Sequence, residues 1–403
     1  MSNPSQREID SYEPGDASGV VPRGSSDPLL GATLEGRYKL ESILGEGGMG
    51  VVYGGRHTVI GKRIAVKVLK NEYARDKEIT SRFILEAQTA SSIGHPNIVD
   101  ISDFGTAPNG STYFVMEFLE GQGLTDAMNE AVTGADGQVT FKPRIIDAAR
   151  ICKIARQVCD GLGAAHAKEI VHRDLKPDNI FLLNLPHPDF VKILDFGIAK
   201  VANSAAQKLT RAGSVFGTPQ YMSPEQAAGG SLDHRSDIYS LGVIMYEMAS
   251  GVLPFTDDTF MGILTAHMYR APAPVRARMN SGDCPASLEA VIQKCLSKRP
   301  ENRYQSTAEL ADDLKRIEAN EVPQAVSDML NRKGDSIPQD YLRGPSAIVE
   351  REAAPAPVKS GPPAWFWPAA IIGTIAIVAA GLTAKHFRDQ AMTSAPVVMP
   401  NAK

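Results

Sequence analysis

The stretch IVHRDLKPDNIF, Ile170 to Phe181, places acidic, basic and amide side chains in a short polar segment between apolar residues. A single aspartate in a loop is most often a turn or cap residue. A second segment, VKILDFGIAK from Val191 to Lys200, brings another aspartate in order after the first. Carboxylate oxygens are the ligands that Mg²⁺ prefers. A turn role does not account for such residues in fixed register with the glycine-rich loop and the lysine described next, and together they indicate a catalytic segment.

A glycine-rich segment lies upstream, GEGGMGVVYGG from Gly45 to Gly55, and Gly45, Gly47 and Gly50 match G-x-G-x-x-G. Such a segment is either a loop that cradles phosphate or a flexible corner between two strands. A dinucleotide-binding fold would need the glycines to open a helix in a parallel βαβ unit, whereas strand-like sequence follows Gly50. Lys67, in IAVK on a further predicted strand, favours the phosphate loop.

Together these motifs, in this order, resemble those of protein kinases: a glycine-rich loop, a strand lysine, H-R-D-x-x-x-x-N and D-F-G. The resemblance covers residues 38 to 316. The chain is similar to bacterial eukaryotic-like (Hanks-type) kinases of the PknB-like, membrane-anchored kind. This resemblance implies an α+β, bilobal protein kinase fold with a small β-rich N-lobe and a larger helical C-lobe.

The resemblance implies that the chain binds ATP through its first lobe. Backbone N–H groups of Gly45, Gly47 and Gly50 are expected to approach the phosphates, since glycine has no side chain to obstruct them. Lys67 is expected to hold the α- and β-phosphates. Glu86, on the following predicted helix, is expected to pair with Lys67 and orient it, although a solvated helix charge is the alternative.

The catalytic residues implied by the resemblance lie in the second lobe. Asp174 is expected to accept or orient the proton of the substrate hydroxyl, and Lys176 to contact the γ-phosphate. Asn179 and Asp195 are the expected ligands of Mg²⁺, with Mn²⁺ as an alternative ion. Lys176 in HRDLKPDN and Thr218 in GTPQYMSPEQ are typical of kinases that act on serine and threonine. Thr218 is expected to lie near Asp174, where the substrate residue docks.

The segment FVMEFLEG resembles the kinase hinge, which contacts the adenine base. Met116 is expected beside the adenine pocket, with backbone groups of Glu117 and Leu119 meeting the base. Val52 and Ala65 are expected to cover its faces. Such apolar residues are equally common in a plain core.

Two further sets of residues follow from the resemblance. Arg173 is expected to receive a phosphate placed on Thr210 or Ser214, a charge-assisted contact that would order the loop, although these hydroxyls could also simply be solvated. Glu225, in a variant of the A-P-E motif, is expected to pair with Arg303. Asp237 is expected to tie the catalytic loop to a core helix. Glu225, Arg303 and Asp237 are structural in this interpretation.

The order of sequence patterns agrees with this fold. RYKLESILG, GVVYGGRH, KRIAVKVLK, NIVDISDFG and STYFVMEFLEG predict strands, and SRFILEAQTASSIG predicts a helix that ends at Gly94. Beyond Gly123, residues 144–169, 233–251, 288–297 and 306–319 predict helices. The glycine-rich insert EAVTGADGQVT is predicted to be a surface loop of unassigned role.

Composition restricts the function and the compartment. The 403 residues are 43% hydrophobic and 22% charged, and the net charge of -4 disfavours nucleic acid as a partner. Four cysteines, without a C-x-x-C pair, are expected to be buried core residues rather than disulfides or metal ligands.

The ends of the chain differ from its centre. Residues 1–31 lack the pattern of a secretory signal and predict a disordered N-terminal tail, and residues 321–363 predict a flexible juxtamembrane linker. Residues 364–384 carry no charge and would span roughly 30 Å as a helix. This segment is either a single C-terminal transmembrane helix, which Trp365 and Trp367 at its start favour, or a buried helix. Residues 385–403 form a short tail.

The sequence therefore predicts a serine/threonine protein kinase, single-pass in the cell membrane with the kinase domain cytoplasmic, in membrane-associated signalling. It is expected to phosphorylate protein substrates and its own activation loop. The alternative is a pseudokinase scaffold that binds ATP and partners without turnover, but Lys67, Asp174, Asn179 and Asp195 are all present. A homodimer is left open, with little or no association expected through the span alone.

Overall fold

The structure, a computed structural model, describes residues 27–134, 138–184, 187–196, 218–278 and 284–331. Within these ranges the chain folds into a small lobe built on a β-sheet and a large lobe built on helices. The predicted α+β, bilobal architecture is therefore confirmed. The catalytic and ATP-binding motifs divide between the two lobes.

The small lobe contains an antiparallel sheet of six strands, in the order β1-β2-β3-β4-β6-β5. Its strands are β1 Thr33–Leu34, β2 Tyr38–Glu46, β3 Gly50–His57, β4 Arg63–Leu69, β5 Ile101–Thr106 and β6 Thr112–Glu117. Apolar side chains such as Leu40, Val66 and Val115 fill its core. The five strands predicted from the sequence correspond to β2 to β6.

One long helix, α1 Lys77–Ile93, packs beside this sheet. Asp76 caps its first turn by accepting hydrogen bonds from two backbone N–H groups, and Gly94 ends it with φ 64°, a conformation that glycine adopts without strain. Phe83 and Ala87 face inward, and the Phe83 ring lies 4.9 Å from that of Phe114. The helix begins earlier than its apolar pattern predicts because the Asp76 cap adds a polar first turn.

The start of the chain is more ordered than predicted. Residues 27–31 were expected to belong to the disordered tail, but Leu29 is buried in the small-lobe core and Gly31 donates to the Leu40 carbonyl. Asp27 accepts a hydrogen bond from Tyr53 at 2.7 Å. These contacts with distant residues cannot be read from a Gly- and Pro-rich local sequence. Residues 1–26 lie outside the described residues.

The large lobe surrounds two long helices, α3 Ala148–His166 and α5 Arg235–Ser250. Nearly every side chain of α5 is buried, so this helix forms the centre of the lobe. Its other described helices are α2 Leu124–Ala127, α4 Pro224–Ala227, α6 Phe260–Tyr269, α7 Val275–Arg278, α8 Ala286–Cys295, α9 Thr307–Glu318 and α10 Gln324–Asn331. Of the described helices of this lobe, α3, α5, α8 and α9 correspond to the predicted helices.

A small antiparallel sheet lies in the large lobe and positions the catalytic segments. It contains β7 Gly121–Gly123, β10 Ile180–Leu183 and β11 Phe190–Ile193, in the order β11-β10-β7. The HRD segment lies between α3 and β10, and Asp195 follows β11. The sheet therefore fixes the chain just after the HRD segment and just before Asp195, and the two acidic motifs lie at the same end of it.

The insert predicted to be a loop is instead a two-stranded ribbon. Its strands are β8 Asn129–Thr133 and β9 Val139–Pro143, paired in antiparallel register. The β-branched residues on both sides of a Gly-containing turn are a hairpin signal, which the surface-loop interpretation overlooked. Pro143 and Ile145 lie against Gly251 at the end of α5, which anchors the ribbon to the lobe.

The segment after the last predicted helix also differs from expectation. Residues 321–331 were expected to begin the flexible linker, yet α10 occupies most of them, with Ala325 and Val326 buried. The Asp313 carboxylate accepts from the backbone N–H groups of Gln324 and Ala325 at 2.6 and 2.9 Å, and Lys294 lies 2.5 Å from Asp328. These long-range contacts stabilise a helix too short to form alone.

The predicted membrane span, 364–384, and the tail 385–403 lie outside the described residues, as does the rest of the linker. In the part of the chain that the structure describes, no helix is long and apolar enough to cross a membrane. The four cysteines, by contrast, are all described. Each is free and buried, as expected, and burial raises the pKa of their thiols.

Candidate active site

The lysine and glutamate of the small lobe form the predicted ion pair. Lys67 on β4 lies with its Nζ 2.9 Å from Glu86 Oε1 on α1 and 2.8 Å from Asp195 Oδ1 after β11. Burial opposes the charge of Lys67, but Asp195 and Glu86 outweigh it and raise the pKa of this lysine. Burial also raises the pKa of Glu86. One ammonium thus joins residues of both lobes across the cleft.

The register of the sheet shows which side chains share the face of Lys67. In an antiparallel pair, directly opposed residues point to the same face, and residues two apart on one strand do so too. Val52 lies opposite Lys67, and Met116 lies opposite Ala65. Val52, Ala65 and Met116 therefore lie on the same face as Lys67, where adenine contacts were predicted. Glu117 ends β6, and Leu119 follows it, half-buried.

Three glycines lie at the end of β2, in the turn and at the start of β3, and they are required for two different structural reasons. A Cβ at Gly45 would meet nothing within 4 Å, and one at Gly47 would meet only the Gly50 carbonyl oxygen, at 3.8 Å. Packing does not require glycine at these two positions, which leaves bare backbone for a ligand to approach. A Cβ at Gly50 would lie 2.8 Å from the Val68 carbonyl oxygen, so close packing of β3 on β4 already requires this glycine.

A buried carboxylate fixes the backbone of the catalytic loop. Asp237 on α5 accepts hydrogen bonds from the backbone N–H groups of His172 at 2.8 Å and Arg173 at 2.9 Å, and from His166 Nε2 at 2.8 Å. Arg173 adopts φ 67°, an uncommon conformation for a residue with a side chain. The predicted tie between Asp237 and the loop is present, and it holds Asp174 in place.

The amide of Asn179 is oriented by the same loop. Its Nδ2 donates to the Asp174 carbonyl at 2.8 Å, and its backbone carbonyl accepts from Leu194 N, next to Asp195. With the nitrogen engaged, the amide oxygen is the group left to bind a cation. Asn179 and Asp195 thus offer hard oxygen donors of the kind Mg²⁺ or Mn²⁺ takes, which fits the predicted metal role.

Lys176 and Thr218 are both half-buried, and they belong to two segments that hydrogen bonds connect. Thr218 precedes the turn Pro219–Tyr221, which leads into α4. Gln226 of α4 donates its side-chain amide to the Arg173 carbonyl at 2.7 Å. The segment expected to receive the substrate residue is therefore attached to the catalytic loop through a glutamine that the sequence did not single out.

The predicted pair of Glu225 and Arg303 is present and bidentate. Arg303 Nη1 and Nη2 lie 2.7 and 2.8 Å from the two carboxylate oxygens of Glu225. Arg303 lowers the pKa of Glu225, against the effect of burial. This pair holds α4, and hence the segment after Thr218, against the large lobe.

Not every expected residue is visible. Thr210 and Ser214, the predicted phosphorylation sites, lie outside the described residues. The guanidinium Nε of Arg173 is buried without a hydrogen-bond partner among the residues that are described. One charged residue was not foreseen at all: Lys192, inside β11, lies 2.6 Å from Glu117 of the hinge. A lysine within an otherwise apolar buried strand was the available signal.

Comparison with known proteins agrees with this site. The protein kinase domain family matches residues 38–314, so the chain belongs to the protein kinase family. Relatives include serine/threonine-protein kinase pkn3 of Myxococcus xanthus, 39% identical over 332 residues, covering 79% of this chain and 58% of the relative. Serine/threonine-protein kinase PknB of Mycobacterium tuberculosis is 40% identical over 295 residues, covering 72% of this chain and 44% of the relative.

Solved structures give the same answer about the fold. The Mycobacterium tuberculosis PknI kinase domain superimposes with a TM-score of 0.51 at 26% identity, covering 71% of this chain and 97% of that domain. With these relatives, the chain lies in the bacterial serine/threonine branch of the kinase family. It spans about half the length of the curated relatives it matches: 58% of pkn3, 38% of serine/threonine-protein kinase Pkn1 of Myxococcus xanthus and 44% of PknB.

Proposed function

We propose that this chain transfers the γ-phosphate of ATP to serine and threonine hydroxyls of proteins. The observation that carries the proposal is the position of Lys67, bridged to Glu86 at 2.9 Å and to Asp195 at 2.8 Å. Phosphoryl transfer needs positioning and charge neutralisation more than covalent catalysis, and in kinases the pair of this lysine with the helix glutamate must be in place, with the aspartate beside it free to take Mg²⁺. The relatives' names supply the serine/threonine class.

Each side chain has a defined task in this reaction. Lys67 holds the α- and β-phosphates, and Lys176 offers a positive charge to the γ-phosphate. The substrate hydroxyl oxygen bonds to the γ-phosphorus as the bond to ADP breaks, and its proton passes to the Asp174 carboxylate. A divalent ion on Asn179 and Asp195 supplies charge neutralisation when bound.

Regulation by the activation loop is part of the proposal. Arg173 presents a buried Nε whose partner is absent from the described residues, and it lies directly before Asp174. A phosphate on Thr210 or Ser214 would give this guanidinium a charge-assisted partner. We expect the chain to place that phosphate itself.

Attachment to the cell membrane is proposed from sequence alone. Residues 364–384 are uncharged and carry Trp365 and Trp367 at one end, and the kinase domain would remain on the cytoplasmic side, where ATP is available. Protein substrates and a homodimer would then meet the domain near the bilayer. Without this anchor, the catalytic proposal is unchanged.

The first experiment compares the full chain in detergent micelles with its Asp174→Asn variant, using Mg-ATP and a generic basic protein. Mass spectrometry of the products should find phosphoserine and phosphothreonine with the wild type, including on Thr210 or Ser214. Asp174→Asn should transfer phosphate about 10²- to 10⁴-fold more slowly. Asp312→Asn, at an aspartate whose side chain is 68% exposed, should match the wild type.

The alternative function, a pseudokinase scaffold, predicts a different result. Wild-type chain that binds ATP but transfers no phosphate under these conditions would contradict catalysis and support the scaffold. Equal transfer by wild type and Asp174→Asn would instead remove Asp174 from its proposed role.

A further inference from the structure

Lys192 is a buried charge that none of the proposed catalytic steps uses. Only 9% of this residue is exposed, and its neighbours on β11, Val191 and Ile193, are fully buried. An ammonium removed from water is costly unless a carboxylate and further hydrogen bonds compensate it. Its Nζ lies 2.6 Å from Glu117 Oε1 and 3.3 Å from the Ile98 carbonyl oxygen. The charge of Lys192 is therefore compensated by the hinge.

Glu117 is held on both its side chain and its backbone. The oxygen that Lys192 contacts also accepts a hydrogen bond from Asp100 N at 2.8 Å. In turn, Glu117 N donates to the Asp100 carbonyl at 3.0 Å. The residue at which β6 becomes the hinge is thus fixed in position and direction, although its side chain remains 26% exposed.

The same region joins the hinge to the strand that leads to Asp195. Ile193 N donates to the Asn97 carbonyl at 2.7 Å, and Val99 N donates to the Ile193 carbonyl at 3.0 Å. Lys192 lies beside this junction, so β11 is attached to the segment 97–100 through its backbone and to Glu117 through Lys192. Removing the ammonium would leave the Glu117 carboxylate with one fewer partner and the hinge less constrained.

We infer that Lys192 is a positioning residue for adenine: its ion pair with Glu117 holds the hinge backbone where the base is to bind. The inference deepens the proposed function and rests on it. Lys192 lies on the strand before Asp195, but its contact is with the hinge. Loss of the pair should weaken recognition of the adenosine part of ATP and leave the contacts to the phosphates in place.

A purely structural role is the competing explanation, and it makes a distinct prediction. Replacing a buried ion pair with apolar side chains often leaves stability unchanged or raises it, whereas removing one partner usually lowers it. In either case, a structural role affects the amount of folded protein and not the ratio of affinities for two ligands. The ratio of adenosine affinity to triphosphate affinity therefore separates the two explanations.

The test uses the full chain and the variants Lys192→Met, Glu117→Gln and the double variant. Lys153→Met is the matched control, because Lys153 is a half-buried lysine that donates to the Pro188 carbonyl, at 2.7 Å, and not to the hinge. Calorimetry measures binding of adenosine and, separately, of inorganic tripolyphosphate with Mg²⁺. Transfer assays give the KM for ATP and kcat, and thermal unfolding gives the Tm of each variant.

Lys192→Met should weaken adenosine binding and raise the KM for ATP about tenfold, since small displacements of positioning groups have effects of this order or larger. The affinity for tripolyphosphate and the kcat should both stay within about twofold of the wild-type values. The double variant should be no weaker than the worse single variant, because both changes break one interaction. Lys153→Met should resemble wild type.

A lower Tm with unchanged adenosine affinity would overturn the inference and leave Lys192 a structural residue. Should Lys192→Met not fold, Glu117→Gln gives the same readout, because it removes the charge and keeps the side-chain shape. If the wild type binds adenosine but transfers no phosphate, the proposed function fails instead, and the adenosine affinities of wild type and variants still test the role of Lys192.

Discussion

Two clusters of charge in this molecule contain an ion pair that the sequence predicted, and they differ in how completely their polar atoms are satisfied. Arg303, with no exposed side-chain surface, donates to both oxygens of Glu225 and to three backbone carbonyls. All five guanidinium donors are thus used within the protein. Lys67 also contacts two carboxylates, but Asp195 keeps 46% of its side chain exposed.

The difference indicates which cluster is scaffold and which one is a site. A cluster whose donors are all used by the protein has nothing left to offer a ligand, so Glu225 and Arg303 stabilise the large lobe. The cleft cluster of Lys67, Glu86 and Asp195 is assembled from both lobes and is open on one side. Changes in the first should lower stability, and changes in the second should lower activity.

The largest expected effect is on stability, for Arg303→Met. The substitution leaves Glu225 as a buried carboxylate without its cation, and we expect the free energy of unfolding to fall by about 4 kcal/mol. Urea unfolding of the full chain measures it. The neighbouring exposed Arg299 supplies the control, because Arg299→Met should change stability by less than about 0.5 kcal/mol. A loss below about 1 kcal/mol for Arg303→Met would contradict the scaffold assignment.

The next effect is on activity, for Lys67→Met. Removing a charge aimed at the phosphates should lower kcat/KM by about 10²- to 10³-fold. Glu86, 13% exposed, also loses its cation, but Asp195 is partly exposed, so the free energy of unfolding should fall by about 2 kcal/mol, less than for Arg303→Met. Lys39→Met, at an exposed lysine of the same sheet, should alter neither quantity. The comparison fails if Lys67→Met lowers stability as much as Arg303→Met does.

The same two clusters show how far the sequence determines the interpretation. Motif residues such as Lys67, Glu86 and Asp237 could be assigned contacts because their spacing belongs to one family. Their elements also follow from local patterns: short β-branched runs with glycine punctuation for β2 to β4, and a helical period that ends at Gly94 for α1. Local sequence and family motifs were sufficient here because both describe the same fold.

Contacts between distant residues were not predictable in this way. Helix α10 depends on the Asp313 carboxylate at its first turn, and residues 27–31 depend on Tyr53 and Leu40, none of which is close in sequence. The partner of Lys192 lies on another lobe's strand. The ribbon β8–β9 differs from these cases because its local sequence does carry a hairpin signal, which was interpreted as a surface loop.

His267 on α6 is a third kind of buried group: its polar atoms are only partly satisfied by the described part of the protein, and no ligand role was assigned to it. It is fully buried, it has no carboxylate partner among the residues that the structure describes, and its Nδ1 lies 2.9 Å from the Tyr239 hydroxyl oxygen. Burial lowers the pKa of His267 to about 4, and the positive charges of Lys298 and Arg270 act in the same direction. The folded protein therefore keeps this imidazole neutral where the unfolded chain would protonate it.

The smallest predicted effect follows from that difference. Above pH 6.5, His267 is neutral in both states and its contribution to stability is complete; as the pH falls toward 4, the unfolded chain takes up the proton first and folding becomes less favourable. Between pH 7 and 4.5 the group should remove about 2 kcal/mol of stability. Urea unfolding of wild type and His267→Gln at both pH values measures it. The stability advantage of wild type should shrink by that amount at pH 4.5. An advantage equal at both pH values would mean that the folded protein accepts a proton on His267, and that the buried charges around it are compensated as fully as those of Arg303.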